Sequence, residues 1–291
     1  MSADNTLQAG ARQAITDELR QWIVAQAEAG CTPDSVLQSM RASGWAEDVA
    51  VEALEQTLRA RLEELGLPVP DPGSAVPEPS LQERASRLRA HDRDVDVLVE
   101  LKLPRVVVFG GLLSHEECDE LVALSAPRLM RSETVDNTTG GSEVNAARTS
   151  DGMFFERGEA PLIQRIEKRI SALLNWPEDH GEGLQILRYR PGAEYKPHHD
   201  YFDPAQPGAP TILKRGGQRV GTLVMYLNAP EQGGSTVFPD IGLEVAPVKG
   251  NAVFFSYDRP HPATKTLHGG SPVIAGEKWV ATKWLREGVF V

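Results

Sequence analysis

The stretch Tyr195-Lys196-Pro197-His198-His199-Asp200-Tyr201 decides how the rest of the chain is interpreted. Glycine and proline turns flank it on both sides, which favours a short strand. Side chains alternate between the two faces of a strand, so His198 and Asp200 share one face and His199 lies on the other. An imidazole beside a carboxylate supplies two ligands of the 2-His-1-carboxylate arrangement that binds non-haem Fe(II).

The second histidine of such a site must come from elsewhere, and the downstream candidates are His261 and His268. His261 lies between two prolines, which remove backbone donors and are typical of a loop. His268 ends the strand-like run 263–268, and Lys278 follows on the next strand-like run. We therefore favour His268 as the third ligand.

Lys278 adds a cation to this predicted metal site. A dicarboxylate cosubstrate can chelate the metal with one end, and its far carboxylate then needs a positive charge deep in an apolar barrel. A lone His-x-Asp occurs by chance in many chains. The ordered set His198, Asp200, His268 and Lys278 is much more specific.

Four motifs in the C-terminal half carry a family resemblance. They are Tyr189-Arg-Pro-Gly-Ala-Glu-Tyr-Lys-Pro-His-His-Asp200, Gly233-Gly-Ser-Thr-Val-Phe-Pro239, Lys249-Gly-Asn-Ala-Val-Phe-Phe255 and Gly276-Glu-Lys-Trp-Val-Ala-Thr-Lys-Trp284. With His268 they resemble the catalytic domain of the collagen-type prolyl 4-hydroxylases, within the Fe(II)- and 2-oxoglutarate-dependent oxygenases. The resemblance runs from about Leu103 to Leu285.

The resemblance implies an enzyme that hydroxylates a peptidyl proline while decarboxylating 2-oxoglutarate to succinate and CO2. Fe(II) would be bound by His198, Asp200 and His268, with O2 as the other cosubstrate and ascorbate as a further candidate cofactor. Its partner would be a proline-containing peptide or protein.

The same resemblance implies roles for residues around the metal. Lys278, Tyr189 and Thr222 would hold the far carboxylate of 2-oxoglutarate, while Tyr195 and Trp284 would flank the target proline. Lys278 and Trp284 share a strand face roughly 20 Å apart, so one belongs at the closed end of the site and the other at its mouth.

The sequence leaves the roles of three arginines near the predicted site, and the orientation of one tyrosine, open. Arg219 and Arg148 are candidates for contacting the peptide backbone, and exposed ion-paired arginines are the alternative. Where family members commonly have a histidine two residues after the substrate-side tryptophan, this chain has Arg286, so its peptide preference is open. Tyr195 has the opposite parity to His198, so both face the site only if Pro197 marks a bulge or bend.

From Leu184 onward, short strand-like runs alternate with glycine and proline turns. The runs are 184–190, 194–201, 221–228, 235–238, 243–248, 251–256, 263–268 and 278–286. This spacing predicts an α+β protein with a double-stranded β-helix (jelly-roll) core. Flanking helices are expected at 161–174 and after the capping box Ser114–Glu117.

The N-terminal part has a different pattern, with helical periodicity over residues 1–66. Thr32-Pro33 is a helix start signal, and the segment predicts a small all-α bundle. It faintly resembles ubiquitin-associated-type bundles, but a role in stability, self-association or binding another protein partner is favoured. Residues 67–80 are rich in proline and predict an extended linker, so the catalytic domain is placed at 81–291, beginning with an arginine-rich helix at 81–91.

Two segments are candidate substrate loops. Residues 132–147 have almost no apolar periodicity, and we favour a lid that closes over a peptide rather than a disordered loop. Residues 202–220 contain three prolines and three glycines and are expected to be mobile near the metal.

Composition excludes several classes of function. A net charge of -11 opposes binding to nucleic acid, whose affinity depends on neutralising phosphates. No apolar run approaches the roughly 20 residues of a membrane span, and the first residues lack the pattern of a signal peptide, so we expect a cytoplasmic protein. The two cysteines, Cys31 and Cys118, fit reduced thiols better than a disulfide.

Two alternatives remain at this point. One is an oxygenase of the same fold acting on a free amino acid, another side chain, a small molecule or an alkylated base. The other is a non-catalytic binding protein whose helical segment does the biological work, although all four chemical positions are retained.

Overall fold

The computed structural model describes residues 13–66, 74–81, 85–132, 134–135, 139, 141–143 and 148–291. The chain divides into two compact units, Met1–Pro72 and Gly73–Val291. None of the helices in the described ranges is long and apolar enough to cross a bilayer.

In its described residues, the first unit contains the helices α1 (Asp17–Glu28), α2 (Pro33–Ala42) and α3 (Glu47–Glu64). The hydroxyl groups of Thr16 and Thr32 cap the first two by accepting hydrogen bonds from the backbone. Buried apolar residues from all three helices pack together: Leu19, Ile23, Val36, Met40, Ala50, Ala53 and Leu54. The predicted second helix therefore starts where its Thr-Pro signal indicates. Residues 1–12 lie outside the described part.

The second unit is mainly β-structure. Its helices are α4 (His115–Ser125), α5 (Pro161–Leu174) and the short α6 (Ala209–Ile212). Its strands are β1 (Arg87–Ala90), β2 (Arg93–Leu101), β3 (Arg105–Gly110), β4 (Met130–Arg131), β5 (Thr134–Val135), β6 (Ser142–Glu143), β7 (Asp151–Phe155), β8 (Leu184–Tyr189), β9 (Tyr195–His198), β10 (Arg219–Tyr226), β11 (Gln232–Gly233), β12 (Thr236–Phe238), β13 (Leu243–Val245), β14 (Ala252–Ser256), β15 (His268–Gly270), β16 (Val273–Ala275) and β17 (Lys278–Arg286). The capping box at Ser114 is present at the start of α4, as predicted.

Two antiparallel sheets form the body of this unit. Among the described strands, the large sheet has the order β1-β2-β3-β14-β10-β17-β8-β7-β4 and the smaller one β13-β12-β15-β9. The pairs β11-β16 and β5-β6 are separate. This arrangement is consistent with a jelly-roll core.

The central strands of the large sheet are buried on both faces. On one face, Trp279, Ala281 and Leu285 of β17 belong to a core that includes apolar residues of α4 and α5. On the other face, Val280 packs in a core that also contains Phe238 of the small sheet. Successive side chains of β17 thus enter different cores, and the candidate site lies on the face directed at the small sheet.

Two predicted elements were placed wrongly. Within the range 81–91, where a helix was expected, Arg87–Ala90 is instead the first strand of a hairpin, because β1 pairs with β2 and the chain turns at His91 with φ 54°. Residues 82–84 of that range lie outside the described part. The arginines of β1 face aspartates across the hairpin, as in the ion pair of Arg87 with Asp96, a pattern of strands. The expected strand 263–268 begins only at His268, since Pro262–Thr264 forms a 3-10 turn.

The described half of the predicted linker, residues 74–80, belongs to the second unit and packs within it. The N–H group of Ser74 donates to Asp258 O at 2.7 Å, and that of Glu78 donates to Leu174 O at 2.9 Å. Pro77 and Pro79 are buried. Residues 67–73, for which the extended conformation was also predicted, lie outside the described part.

The two candidate substrate loops differ in how much of them is described. Most of 132–147, where the lid was predicted, lies outside the described residues. The loop 202–220 is described, and its two ends are joined because the Gln218 side chain bonds both the N–H and the carbonyl of Phe202, at 2.8 and 2.7 Å.

Candidate metal centre and cosubstrate pocket

Strands β9 and β15 bring two histidines together. His198 and His268 are paired across these antiparallel strands, and their ring centroids lie 4.4 Å apart. The residue after His268 has to be small, because a Cβ on Gly269 would lie 2.8 Å from Tyr195 O. The close approach of the two strands therefore depends on this glycine.

Asp200 completes the cluster from just beyond the end of β9. Its Oδ1 lies 3.4 Å from His198 Nε2, and its Oδ2 lies 3.4 Å from His268 Nε2. One ligand atom from each of the three residues lies within 4.8 Å of the others. The three sequence-predicted metal ligands are thus in one place.

Backbone contacts determine which nitrogen of each histidine faces the cluster. His198 Nδ1 lies 2.9 Å from Lys196 O, and His268 Nδ1 lies 3.0 Å from Thr266 O. A carbonyl oxygen can only accept, so each Nδ1 carries the proton and each Nε2 keeps a lone pair. Three acceptor atoms therefore converge on one point, an arrangement that a cation stabilises.

The charge states of these residues suit metal binding. Burial raises the pKa of Asp200, but the two neighbouring histidines outweigh burial and hold it well below its usual value. Burial and the proximity of His268 lower the pKa of His198. An ionised carboxylate with a neutral imidazole is the form that donates electron pairs to a metal.

Tyr195 faces the same pocket because β9 contains a bulge. The register pairs His268 with His198 but Gly270 with Tyr195, so β9 has one more residue than β15 over this interval. The extra residue reverses the parity that simple alternation would give. The Tyr195 ring stacks on the His198 imidazole at 3.7 Å between centroids, which answers the question that the sequence left open at Pro197.

Lys278 lies in the same pocket as the three ligands, at the start of β17. The pocket between the sheets is lined by Arg148, Leu187, Tyr189, Tyr195, His198, Asp200, Thr222, Val224, Thr236, His268, Gly269, Gly270, Lys278, Val280, Thr282 and Trp284. The Lys278 side chain is 4% exposed. In the part of the chain that the structure describes, no acidic side chain pairs with it, and burial lowers its pKa to about 8.

Tyr189 and Thr222, predicted to hold the far carboxylate of 2-oxoglutarate together with Lys278, have different surroundings. The ammonium lies 5.6 Å from the Tyr189 ring centroid, and Tyr189 pairs with Lys278 across β8 and β17. Thr222 Oγ1 instead donates to Asp200 Oδ2 at 2.8 Å. Thr222 therefore contacts a metal ligand directly.

A second threonine at the Lys278 end was not singled out from the sequence. Thr236 accepts a hydrogen bond from Tyr226 Oη at 2.8 Å, and the Tyr226 ring lies 5.9 Å from the Lys278 ammonium. The motif Gly233–Pro239 contained this residue, but nothing in the local pattern distinguishes its hydroxyl from that of Ser235.

Trp284 lies at the other end of β17's inner face. In the described part of the chain its buried indole N–H has no hydrogen-bond partner. The ring lies 6.5 Å from that of Phe154, which is 48% exposed. This end of the pocket therefore adjoins the protein surface.

The two arginines predicted to contact peptide each lie over an aromatic ring. The Arg148 guanidinium is 4.9 Å from the Tyr195 ring centroid, and the Arg219 guanidinium is 4.0 Å from that of Trp284. Arg148 also donates to Gln185 Oε1 at 2.6 Å. Cation–π contacts of this kind fix the rings in place.

Glu182 is a charged residue near the site that the sequence analysis missed. It accepts from Arg219 at 2.6 Å and from Arg286 at 2.7 Å and is 6% exposed. Its neighbours in the chain are Gly181 and Gly183, and no local pattern marks it as a partner of residues far away in sequence.

The remaining histidines of interest are not at the metal centre. His261 is exposed, and its Nδ1 accepts from the N–H of Ala263 at 3.1 Å. His199 points away from the cluster and stacks on Tyr201 at 4.6 Å. Both placements agree with the sequence analysis.

Comparison with known proteins identifies the residues 184–286 as a match to the 2OG-Fe(II) oxygenase superfamily. Among curated proteins, the chain is 42% identical to prolyl 4-hydroxylase 1 of Arabidopsis thaliana over 225 residues, covering 68% of this chain and 77% of the relative. It is also 42% identical to probable prolyl 4-hydroxylase 3 of the same plant over 208 residues, covering 64% and 71%.

Among solved structures, the chain is similar to the viral collagen prolyl hydroxylase of Paramecium Bursaria Chlorella virus-1, determined as its 2OG complex. The two chains are 32% identical, the match covers 62% of this chain and 95% of the viral one, and the TM-score is 0.48.

Proposed function

Because this chain belongs to the prolyl 4-hydroxylase family of 2-oxoglutarate- and Fe(II)-dependent dioxygenases, we propose that it hydroxylates a proline within a peptide or protein. The observation that carries the proposal is the convergence of three acceptor atoms, from His198, Asp200 and His268, in a pocket that also contains Lys278.

The donor set fits Fe(II), with two neutral imidazoles and one ionised carboxylate leaving the other coordination positions to cosubstrates. The chemistry supplied by bound Fe(II) is the reaction of O2 with 2-oxoglutarate, which yields succinate, CO2 and the oxygen transferred to the substrate. The protein orients the ligands: Thr222 donates to Asp200 at 2.8 Å and itself lies 3.0 Å from Tyr257 Oη. Such partners fix the direction of a ligand's lone pairs.

Lys278 is the residue we assign to the far carboxylate of 2-oxoglutarate. A buried ammonium without an acidic partner is unfavourable, and a carboxylate placed beside it removes that penalty. The proximity of Tyr189 and of the Tyr226–Thr236 pair provides hydroxyl groups at the same end of the pocket. Thr222 is better assigned to Asp200, because its hydroxyl proton is already donated there.

We assign the target proline to the space between the rings of Tyr195 and Trp284. Both line the pocket, and aromatic faces are suited to an apolar pyrrolidine ring. Arg148 and Arg219 would hold these rings from behind, rather than contact the peptide as their principal role. The buried indole N–H of Trp284 has no hydrogen-bond partner among the described residues, and we assign it to a backbone carbonyl of the bound substrate.

The test uses proline-rich peptides and matched control peptides in which every proline is replaced by alanine. The protein with Fe(II) and 2-oxoglutarate should release succinate and add the mass of one oxygen atom only to the proline peptides. Asp200→Ala should abolish both signals and reduce the bound iron measured by elemental analysis. Asp203→Ala, which removes an exposed acid three residues away, serves as the matched control.

Other outcomes would redirect the assignment. Equal turnover of free proline, or of an alkylated base, would move the substrate to another class within the same dioxygenase chemistry. Full activity of Asp200→Ala would overturn the metal assignment itself.

The finer architecture is also part of the proposal. We assign the two facing sheets to a double-stranded β-helix and residues 1–66 to a helical bundle that self-associates or binds another protein. The buried cluster shared by α1, α2 and α3 supports a separate folding unit. Ascorbate as a cofactor and the cytoplasm as the location stay predictions from the sequence.

A further inference from the structure

A group of buried charges lies beside Trp284, at the end of the pocket remote from Lys278. Arg219 donates from Nε and Nη2 to the two oxygens of Glu182, at 2.6 and 2.9 Å. Arg286 donates from Nε to the same Glu182 at 2.7 Å. All three residues are buried: Glu182 is 6% exposed, Arg219 8% and Arg286 4%. Two guanidinium groups therefore share one carboxylate.

The described residues do not balance the second positive charge of this cluster. No other acidic side chain among them pairs with Arg219 or Arg286. Asp200 offers Arg219 its backbone carbonyl, at 3.4 Å, and Glu287 instead accepts from the N–H of Gln218 at 2.7 Å. The loaded metal centre is no counterion either, because the charges of Fe(II), Asp200, 2-oxoglutarate and Lys278 cancel.

The surplus charge resides mainly on Arg286. Arg219 has the bidentate contact with Glu182 and lies over the Trp284 ring. Arg286 shares one of those carboxylate oxygens, and it also donates to an uncharged acceptor, Gly217 O, at 2.7 Å. Burial and repulsion from Arg219 outweigh the attraction of Glu182 and lower the pKa of Arg286 to about 10. A second carboxylate near Arg286 would be stabilised by a cation that is already in place and desolvated.

The distance between Arg286 and the proposed proline site follows from its place on β17. Lys278, Val280, Thr282 and Trp284 alternate along the inner face of β17 and line the pocket. Arg286 is the next residue on that face, about 7 Å beyond Trp284. An extended peptide covers the same distance in about two residues.

We propose that Arg286 makes the enzyme selective for prolines that have an aspartate or glutamate within two positions in the peptide. The inference rests on the proposed function, because it takes the Tyr195–Trp284 space as the site of the target proline.

The experiment compares fluorescent peptides that differ only in having glutamate or glutamine at each of the two positions before and after a single proline. Binding is measured by polarisation, without oxygen, to the full-length protein loaded with Mn(II) and 2-oxoglutarate. Hydroxylation of the same peptides is measured by mass spectrometry with Fe(II) and oxygen. The proteins are the wild type, Arg286→Gln, Arg286→Lys and the control Arg89→Gln, which removes an exposed arginine of β1.

We expect the wild type to bind at least one glutamate peptide about tenfold more tightly than its glutamine twin. Arg286→Lys and Arg89→Gln should keep that ratio, and Arg286→Gln should bring it close to one. The ratio should also shrink as salt is added.

Three outcomes overturn the inference. They are equal binding of the twins by the wild type, a preference that persists in Arg286→Gln, and no binding of any peptide. Hydroxylation without a glutamate preference would leave the proposed function standing and refute this selectivity. A glutamate preference in binding without any hydroxylation would support this selectivity and refute the proposed function.

Discussion

Lys278 and Arg286 occupy the same face of β17 and are both 4% exposed, yet their electrostatic surroundings differ. Lys278 has no acidic partner among the described residues, and its pKa is lowered to about 8. Arg286 shares Glu182 with Arg219, and burial lowers its pKa to about 10. A lysine can lose its proton when buried, whereas a guanidinium keeps it, so only the arginine end requires a carboxylate from the protein.

The largest effect should come from removing that carboxylate. Glu182→Gln leaves two buried guanidinium groups facing each other, which should lower the free energy of unfolding by about 3–5 kcal/mol. Urea unfolding of the metal-free protein measures it. Arg286→Gln should cost much less, because Glu182 keeps its bidentate contact with Arg219. Equal losses in the two variants would show that Glu182 does not act as their shared counterion.

At the other end of β17, a substitution should affect the cosubstrate rather than stability. Lys278→Ala should raise the Kd for 2-oxoglutarate at least 100-fold, equivalent to about 2.7 kcal/mol, because the far carboxylate loses a desolvated charge partner. Calorimetric titration of the Mn(II) protein measures it. Lys168→Ala, an exposed lysine on α5, is the control. A change of less than tenfold would place the far carboxylate elsewhere.

The pH dependence of cosubstrate binding should distinguish the ammonium of Lys278, which can lose its proton, from a guanidinium placed at the same position. The free enzyme has the Lys278 ammonium below about pH 8 and loses it above. Since 2-oxoglutarate is a dianion throughout this range, its Kd should rise as pH increases past 8, by about tenfold per unit or 1.4 kcal/mol. The variant Lys278→Arg should remove this rise, because its guanidinium stays charged. A flat profile for the wild type would mean that the ammonium stays protonated above pH 8.

The smallest effect concerns the indole of Trp284. Trp284→Phe keeps an aromatic wall but removes a buried N–H that has no partner among the described residues. We expect kcat/KM for a proline peptide to fall about fivefold, or about 1 kcal/mol, with little change in the Kd for 2-oxoglutarate. An unchanged kcat/KM would show that the N–H makes no bond to the substrate.

Much of the metal centre could be predicted because its information is local. Strand alternation placed His198 and Asp200 on one side and His199 on the other, and the prolines around His261 directed the choice to His268. The Thr-Pro start of α2 and the capping box of α4 are likewise short-range signals. Each involves residues within a few positions of one another.

The features that sequence analysis missed depend on contacts between distant residues. Glu182 meets Arg219 and Arg286 across 37 and 104 positions of the chain, and no pattern around any of them encodes the partner. The segment 81–91, which contains β1, was taken for a helix because its arginines also suit a helical surface; only pairing with the aspartates of β2 decides between helix and strand. The bond from Thr222 to Asp200 is also between distant residues, and the role in 2-oxoglutarate binding that the family resemblance implies for Thr222 gives no indication of it.

The bulge in β9 has a consequence for how the site tolerates change. One additional residue opposite Gly269 turns Tyr195 toward His198, so the number of residues between these two positions matters independently of what they are. Deleting Lys196 would rotate the tyrosine to the outer surface while leaving both histidines in the sequence. Within this segment, chain length is therefore under tighter constraint than side-chain identity, and homologues should vary at 196 far more readily than they gain or lose a residue there.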